Sequence, residues 1–296
     1  MGSQVQDSGL SRFRREHLEF FCGWGSGVVE TTLLFPTSKL VFRQQLLGLA
    51  VNEAAAQLKN EGVMYLYRGL LPPLLMRTTT RSIMFGMFEK YKKLLGCHHP
   101  GTTSTLTSKH ALAAFLAGVT EATLCPLERI QVLLQNSMYH QDFRNTHEAF
   151  YSVAKYGPRE FYRGYTLIIF RNGMSNILFF TLREPLREQI INKAGQNGTN
   201  ISQAPLIHFA SNFVSGAILG ASISTLFFPV NVVKHRMQSV LGTPFESPLA
   251  VFRVVWKERN RSIKELYRGV QMNFTRSLVA WGITNSVYEI LLNLLK

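Results

Sequence analysis

The stretch FFPVNVVKHRMQ, residues 227–238, sets a proline inside an otherwise apolar helical run and follows it with Asn231, Lys234, Arg236 and Gln238. A proline in a helix interior removes one backbone hydrogen bond and clashes with the preceding turn, a cost of roughly 3 kcal/mol, so the fold has to offset it. The stretch recurs as FPTSKLVFRQQ at 35–45 and CPLERIQVLLQ at 125–135, with Pro36, Pro126 and Pro229 each nine residues before Gln45, Gln135 and Gln238. A second marker, YRG, follows at 67–69, 162–164 and 267–269, and twenty residues after each of its glycines stands Glu89, Glu184 or Glu289. The chain therefore reads as three tandem copies of one unit. An N-terminal tail, 1–17, precedes repeats at 18–97, 98–192 and 193–296, which together make one domain. Units of this size are too long for short solenoid repeats and suit a pseudo-threefold assembly.

Composition alone is equivocal: 46% of the 296 residues are hydrophobic, yet the mean hydropathy is only +0.04. Six segments, 18–46, 72–95, 109–136, 166–190, 205–239 and 271–295, are nevertheless long enough to cross a bilayer core, which takes about 20 residues. Thirteen and nine residues before the three prolines lie Gly23 and Gly27, Ala113 and Ala117, and Gly216 and Gly220. These small pairs share one phase, a pattern that lets membrane helices approach closely. Each odd segment also carries a stripe on one helical face: Thr31, Ser38, Val41 and Gln45; Glu121, Glu128, Gln131 and Gln135; Ser224, Asn231, Lys234 and Gln238. Polar throughout except at Val41, these stripes predict three odd helices with their polar faces inward and their prolines bending the ends together.

The thrice-repeated proline, acidic, basic and glutamine pattern with its aromatic-basic-glycine triplet resembles the mitochondrial carrier family, over nearly the whole chain. The resemblance implies an all-α membrane protein of six transmembrane helices, with short matrix helices near 51–61, 145–156 and 247–258. It also implies a monomer in the inner mitochondrial membrane, both termini toward the intermembrane space, working by alternating access. The family's matrix gate maps onto Ser38, Val41, Glu128, Gln131, Asn231 and Lys234, with Gln45, Gln135 and Gln238 beside it. Here the resemblance leaves only Glu128 with Lys234 as an ion pair. The cytoplasmic gate maps onto Glu89, Lys92, Glu184, Arg187, Tyr288 and Glu289, with Arg183 and Leu292 departing from the pattern, and implies bridges Glu89–Arg187 and Glu289–Lys92. Cardiolipin is expected at the YRG turns, at Arg68, Gly69, Arg163, Gly164, Arg268 and Gly269.

An ionisable residue within a membrane span marks a candidate site. Glu30, Arg77, Arg81, Glu121, Arg171 and Arg276 qualify; Arg171 and Arg276 occupy the same repeat position, where Met76 stands in the first repeat. Their place in the site, with Asn172 adjoining, rests on the resemblance. Arg171 and Glu184 fall on nearly opposite faces of one helix, and Gly173 is the place for a bend between them. Converging guanidinium groups favour phosphate, whereas Glu121 favours a cationic ring or ribose hydroxyls. NAD, with its pyrophosphate, riboses and positive nicotinamide, meets both demands. Trp281, Phe179 and Phe180 could supply stacking. Stretches such as YRGLLPPLL at 67–75, FRNGMSNILFF at 170–180 and RSLVAWGITN at 276–285 resemble the NAD-carrying branch of the family in animals. A carrier of another nucleotide-like or anionic cofactor, or a scaffold that no longer transports, stays open.

The formal charge of +14 is dispersed along the repeats, which suits an anionic bilayer better than nucleic acid. No metal spacing, nucleophile motif or phosphate loop is present, so neither an enzyme nor a resident metal or cofactor is expected. Cys22, Cys97 and Cys125 imply no disulfide framework. His98 and His99, and the sequons at Asn197 and Asn200, fall in loops.

Overall fold

A computed structural model describes residues 3–96, 108–196 and 205–295, and among these it is helical with no strand. The first repeat holds α1 (Ser3–Leu47), α2 (Val51–Glu61), α3 (Val63–Leu66) and α4 (Leu71–Leu94). The second holds α5 (Ser108–Glu121), α6 (Cys125–Gln135), α7 (Thr146–Ala154) and α8 (Tyr165–Gln196). The third holds α9 (Pro205–Leu226), α10 (Phe228–Gln238), α11 (Pro248–Glu258), α12 (Ile263–Leu266) and α13 (Val270–Leu295). α1 begins at Ser3, so the stretch set apart as a tail is continuous from there with the first span. Cys97, His98, His99, Asn197 and Asn200 lie outside the described residues, as do the side chains of Arg81 and Leu292.

The six spans close into a ring: α1 packs on α4, α4 on α5 and α6, α5 on α8, α8 on α9, α9 on α13, and α13 back on α1. Length and apolarity alone pick out only Ser108–Gln135, at mean hydropathy 1.3, and the bent pair Val214–Leu226 and Phe228–Gln238 among the described residues. Charged and amide side chains dilute the others, as Arg77, Glu89 and Lys92 do in α4 and Arg171, Arg183 and Glu184 in α8. A span with one face on lipid and one on a wet interior need not be apolar all round.

The three prolines are accommodated differently. At Pro229 the helix breaks and turns by 60° between α9 and α10. At Pro126 a single 3-10 turn, Ala122–Leu124, separates α5 from α6. At Pro36 helix α1 continues without interruption. The short helices at the proline end carry their own caps: the Glu53 carboxylate accepts from the Ala50 N–H, Asn145 accepts from Glu148 N–H and Ser247 from Ala250 N–H. Each buries a pair four residues apart, Ala54 and Leu58, Ala149 and Val153, Val251 and Val255, as a one-sided helix should.

Successive repeats are clasped by arginine. Arg68 donates to the carbonyls of Tyr139, at 2.7 Å, and Phe143. Arg163 donates to the carbonyls of Val240, Thr243 and Pro244 and to the Thr243 hydroxyl. Both guanidinium groups are thus buried against protein carbonyls, where they were expected to face lipid, and Arg68 keeps Nε and Nη1 without a hydrogen-bond partner among the described residues. The third clasp comes from Arg259, which caps α1 through the Gln44 and Gln45 carbonyls at 3.2 and 2.8 Å. Arg268 is 40% exposed and pairs with Glu265 at 2.8 Å. The reason is chain length: residues 48–50 join α1 to α2, whereas 136–145 and 239–247 make the corresponding connections, so the first repeat offers no loop for Arg268 to grip. The three triplet glycines, Gly69, Gly164 and Gly269, adopt positive φ, and a Cβ on Gly269 would lie 2.9 Å from Gln44 Cβ.

The small pairs are used unequally. Ala113 and Ala117 are fully buried in a cluster with Phe88, and Gly216 and Gly220 receive the Trp281 indole. Gly23 and Gly27 face open space; the close approach in α1 is at Gly25, whose Cβ would meet Leu291 at 2.9 Å. The tightest backbone contact is one the repeats do not announce, Gly118 against Gly173, where a Cβ on Gly118 would lie 2.5 Å from the Gly173 nitrogen. Gly173 thus serves the α5–α8 contact within a helix that runs unbroken from Tyr165 to Gln196, rather than an interruption of it. Gly118→Ala should therefore cost about 1–3 kcal/mol through overpacking and Gly27→Ala almost nothing, measured by thermal unfolding of the two variants in the same detergent.

Candidate functional site

The stripes meet around one central cavity of about 390 Å³. Thr31, Ser38, Val41 and Gln45 come to it from α1; Glu121, Glu128, Gln131 and Gln135 from α5 and α6; Ser224, Asn231 and Lys234 from α9 and α10. Gln238 does not reach it. That side chain is fully buried behind the wall, within 4.0 Å of Cys125 Sγ, because the bend at Phe227 turns the end of α10 against α6 and the Gly164 turn. The even helices contribute Met76 and Arg77 from α4, Arg171 and Asn172 from α8, and Asn273 and Arg276 from α13. All five expected substrate-site residues, Arg77, Glu121, Arg171, Asn172 and Arg276, thus face one space.

Each charge in that space has a neighbour. Arg77 Nη1 lies 2.6 Å from Glu30 Oε2, a carboxylate almost wholly buried in α1. Arg171 bonds Asn172 Oδ1 at 3.0 Å, and Arg276 reaches Asn273 Oδ1 at 3.4 Å. Glu121 accepts weakly from Asn176, at 3.5 Å. Asn176 and Asn273 carry no acidic or basic signature, so only the fold reveals them; Asn273 in turn donates to Ser224 at 2.7 Å and ties α13 to α9.

At the proline end the cavity narrows on a mixed closure. Lys234 and Glu128 form an ion pair between α10 and α6, both nearly out of solvent. The α1 side closes by apolar contact: Val41 packs into a cluster with Phe228, Val232 and Val233, and the Phe42 ring meets the His235 ring edge at 5.2 Å. Ser38 spends its hydroxyl on the Leu34 carbonyl of its own helix, and Asn231 Oδ1 is buried without a hydrogen-bond partner among the described residues. His235, unremarked in the sequence beside Lys234, lines the cavity, and its Nδ1 also lacks a hydrogen bond.

The opposite end is differently wired than expected. Lys92 pairs with Glu89 at 3.0 Å and Arg187 with Glu184 at 3.0 Å, each one turn away on the same helix. The inter-helix bridges Glu89–Arg187 and Glu289–Lys92 are thus not made in this conformation, and Glu289 is exposed. Tyr288 has an interaction of its own. The phase problem between Arg171 and Glu184 also dissolves: Arg171 faces the cavity, while Glu184 stands 46% exposed with Arg187. Phe180 stacks on Phe88 at 3.8 Å, and Phe179 packs edge-on to Phe85 under the Arg183 guanidinium. Neither ring enters the cavity. Trp281 does better, lining a side chamber of about 150 Å³ together with Arg77 and Arg276.

Comparison with known proteins now decides the family, because the "Mitochondrial carrier protein" family model matches residues 17–99, 104–194 and 206–296, once per repeat. The chain belongs to the mitochondrial carrier family. The carrier is 42% identical over 275 residues to the mitochondrial nicotinamide adenine dinucleotide transporter of Mus musculus, spanning 93% of this chain and 89% of that one. It is 41% identical over 280 residues to the Homo sapiens protein of the same name, 95% and 90% of the two chains. Human solute carrier family 25 member 53 is 33% identical over 273 residues, 90% and 84%. These relatives are members of a transport family, not enzymes. Among the described residues no group of histidine, cysteine and acidic side chains could hold a metal.

The buried pair at the closed end makes a sharp stability contrast. Lys234→Ala leaves Glu128 without its partner in a largely buried place and should cost about 3–5 kcal/mol, whereas Lys234→Met combined with Glu128→Leu should recover most of that loss. Thermal unfolding of the single and double variants of the carrier reads both.

Proposed function

We propose that this carrier imports NAD across the inner mitochondrial membrane by alternating access. One observation carries the reading: three arginines from three different even helices, Arg77, Arg171 and Arg276, share a single cavity with the carboxylate of Glu121. Guanidinium groups take phosphate in paired charge-assisted bonds, and a carboxylate in the same space suits a cationic ring or ribose hydroxyls. A dinucleotide with a pyrophosphate and a positive nicotinamide uses both. The cavity volume falls in the range of ordinary small-molecule sites, and the relatives at 41–42% identity are named for the same substrate.

In this conformation the Lys234–Glu128 pair and the Val41 cluster shut the proline end, while the Glu89, Lys92, Glu184 and Arg187 side chains stay within their own helices. We assign the shut end to the matrix side and the other, with both termini, to the intermembrane space. Substrate entering from that space would settle on Arg171, Asn172 and Arg276, and its phosphates would compete with Glu128 for Lys234, the cation that now holds the closure. Opening the matrix side then breaks one ion pair and one apolar contact, while the mouth residues are freed to bridge Glu89 to Arg187 and Lys92 to Glu289. Conversion by a ligand requires that it bind one state better than the other. The working unit is a monomer. Cardiolipin would sit against the N–H groups at the starts of α4, α8 and α13 and against Arg268.

Purified carrier in liposomes should take up isotope-labelled NAD, and Arg171→Ala should lower uptake by about a hundredfold while leaving the unfolding temperature within a few degrees, in line with the loss of a charged, doubly bonding contact. Absence of uptake by the unaltered protein, into vesicles either empty or preloaded with NAD, would refute the assignment.

A further inference from the structure

Among the described residues the cavity wall carries four cations, Arg77, Arg171, Lys234 and Arg276, and two anions, Glu121 and Glu128. A third anion stands behind the wall. Glu30 is 1% exposed, its Oε2 is 2.6 Å from Arg77, and its Oε1 is buried and accepts no hydrogen bond among the described residues. Arg276 lines the same side chamber as Arg77. Burial of a carboxylate costs several kcal/mol unless a partner repays it, and one guanidinium bonded to a single oxygen is a sparse repayment. An apolar residue or a glutamine would fill the same place on α1 without that cost. A neutral residue would, however, change the field of the cavity.

We infer that Glu30 is a specificity-determining residue: by holding Arg77 and cancelling one positive charge, it lowers the net positive charge of the cavity and so favours the less negative of two substrates of similar shape. The inference rests on the assignment of a dinucleotide substrate. Oxidised NAD, with two phosphate charges and one positive ring, carries one net negative charge; reduced NAD has nearly the same shape and carries two. Shape cannot separate the two forms well, but a difference of one unit charge can. Glu30 acts through Arg77 and is not itself a wall residue, so it need not touch the substrate.

The test is competition in liposomes: uptake of labelled oxidised NAD is measured against unlabelled oxidised or reduced NAD, and the ratio of half-inhibiting concentrations is compared between variants. Glu30→Gln raises the cavity charge by one unit and should shift the ratio about fivefold toward the reduced form, while Glu30→Asp keeps the native ratio. Arg77→Gln lowers the charge by one unit and should shift the ratio in the opposite direction, an arm that stands even if Glu30→Gln does not fold. The double variant should return toward the native ratio. Unchanged ratios in Glu30→Gln or Arg77→Gln protein that still transports would overturn the inference and leave Glu30 a structural partner. Failure of the unaltered carrier to transport NAD at all would instead sink the substrate assignment, so the two failures are distinct.

Discussion

A polar stripe along an otherwise apolar membrane helix has one stable place to go, because hydrocarbon offers its amides and carboxylates no partners. In this carrier three such stripes exist, and a closed ring of six spans is the arrangement that takes all three out of lipid at once. The cavity is a consequence of that constraint. So is the closure at the proline end, where stripes that cannot turn outward converge until Lys234 meets Glu128 and Val41 meets the apolar face of α10.

Pseudosymmetry is broken where function is concentrated. The three prolines produce a sharp break, a tightened turn and an uninterrupted helix. The first repeat lacks the loop that its siblings present, so the third clasp passes from Arg268 to Arg259. The closure uses one ion pair where a fully charged threefold network would use three. A network with fewer bonds has fewer to break on each cycle, and at Val41 the missing charge is replaced by apolar contact. The groups of the upper cavity are just as asymmetric: Glu121 on α5 is matched by Thr31 on α1 and Ser224 on α9, and α1 carries Glu30 one residue before its matching place. A substrate that is itself asymmetric, with phosphates at its centre and a cation at one end, fits such a wall better than a symmetric anion would.

Much of this was legible in the residues. Repeat, span number, inward stripes, short helices at the proline end and the five wall residues follow from spacing and residue type together with the family pattern, because a polar face on a spanning helix has only one direction to point. Pairing was not legible. Whether Lys92 bonds Glu89 on its own helix or Glu289 across the mouth depends on how far apart the helices stand, which is a property of the conformation. Likewise Arg68 and Arg163 look like exposed bases beside turn glycines and prove to be buried clasps, because loops distant in the chain arrive above them.

The sequence by itself determined the number of units, the faces that avoid lipid and the kinds of charge available, since these depend on local periodicity and on the solvent. Tertiary structure alone decided which charges cancel. Glu30 and Arg77 are 47 residues apart, on α1 and α4, helices that meet only in the folded ring. Partnership between ions depends on distance and dielectric, and both come into being only when the helices have packed.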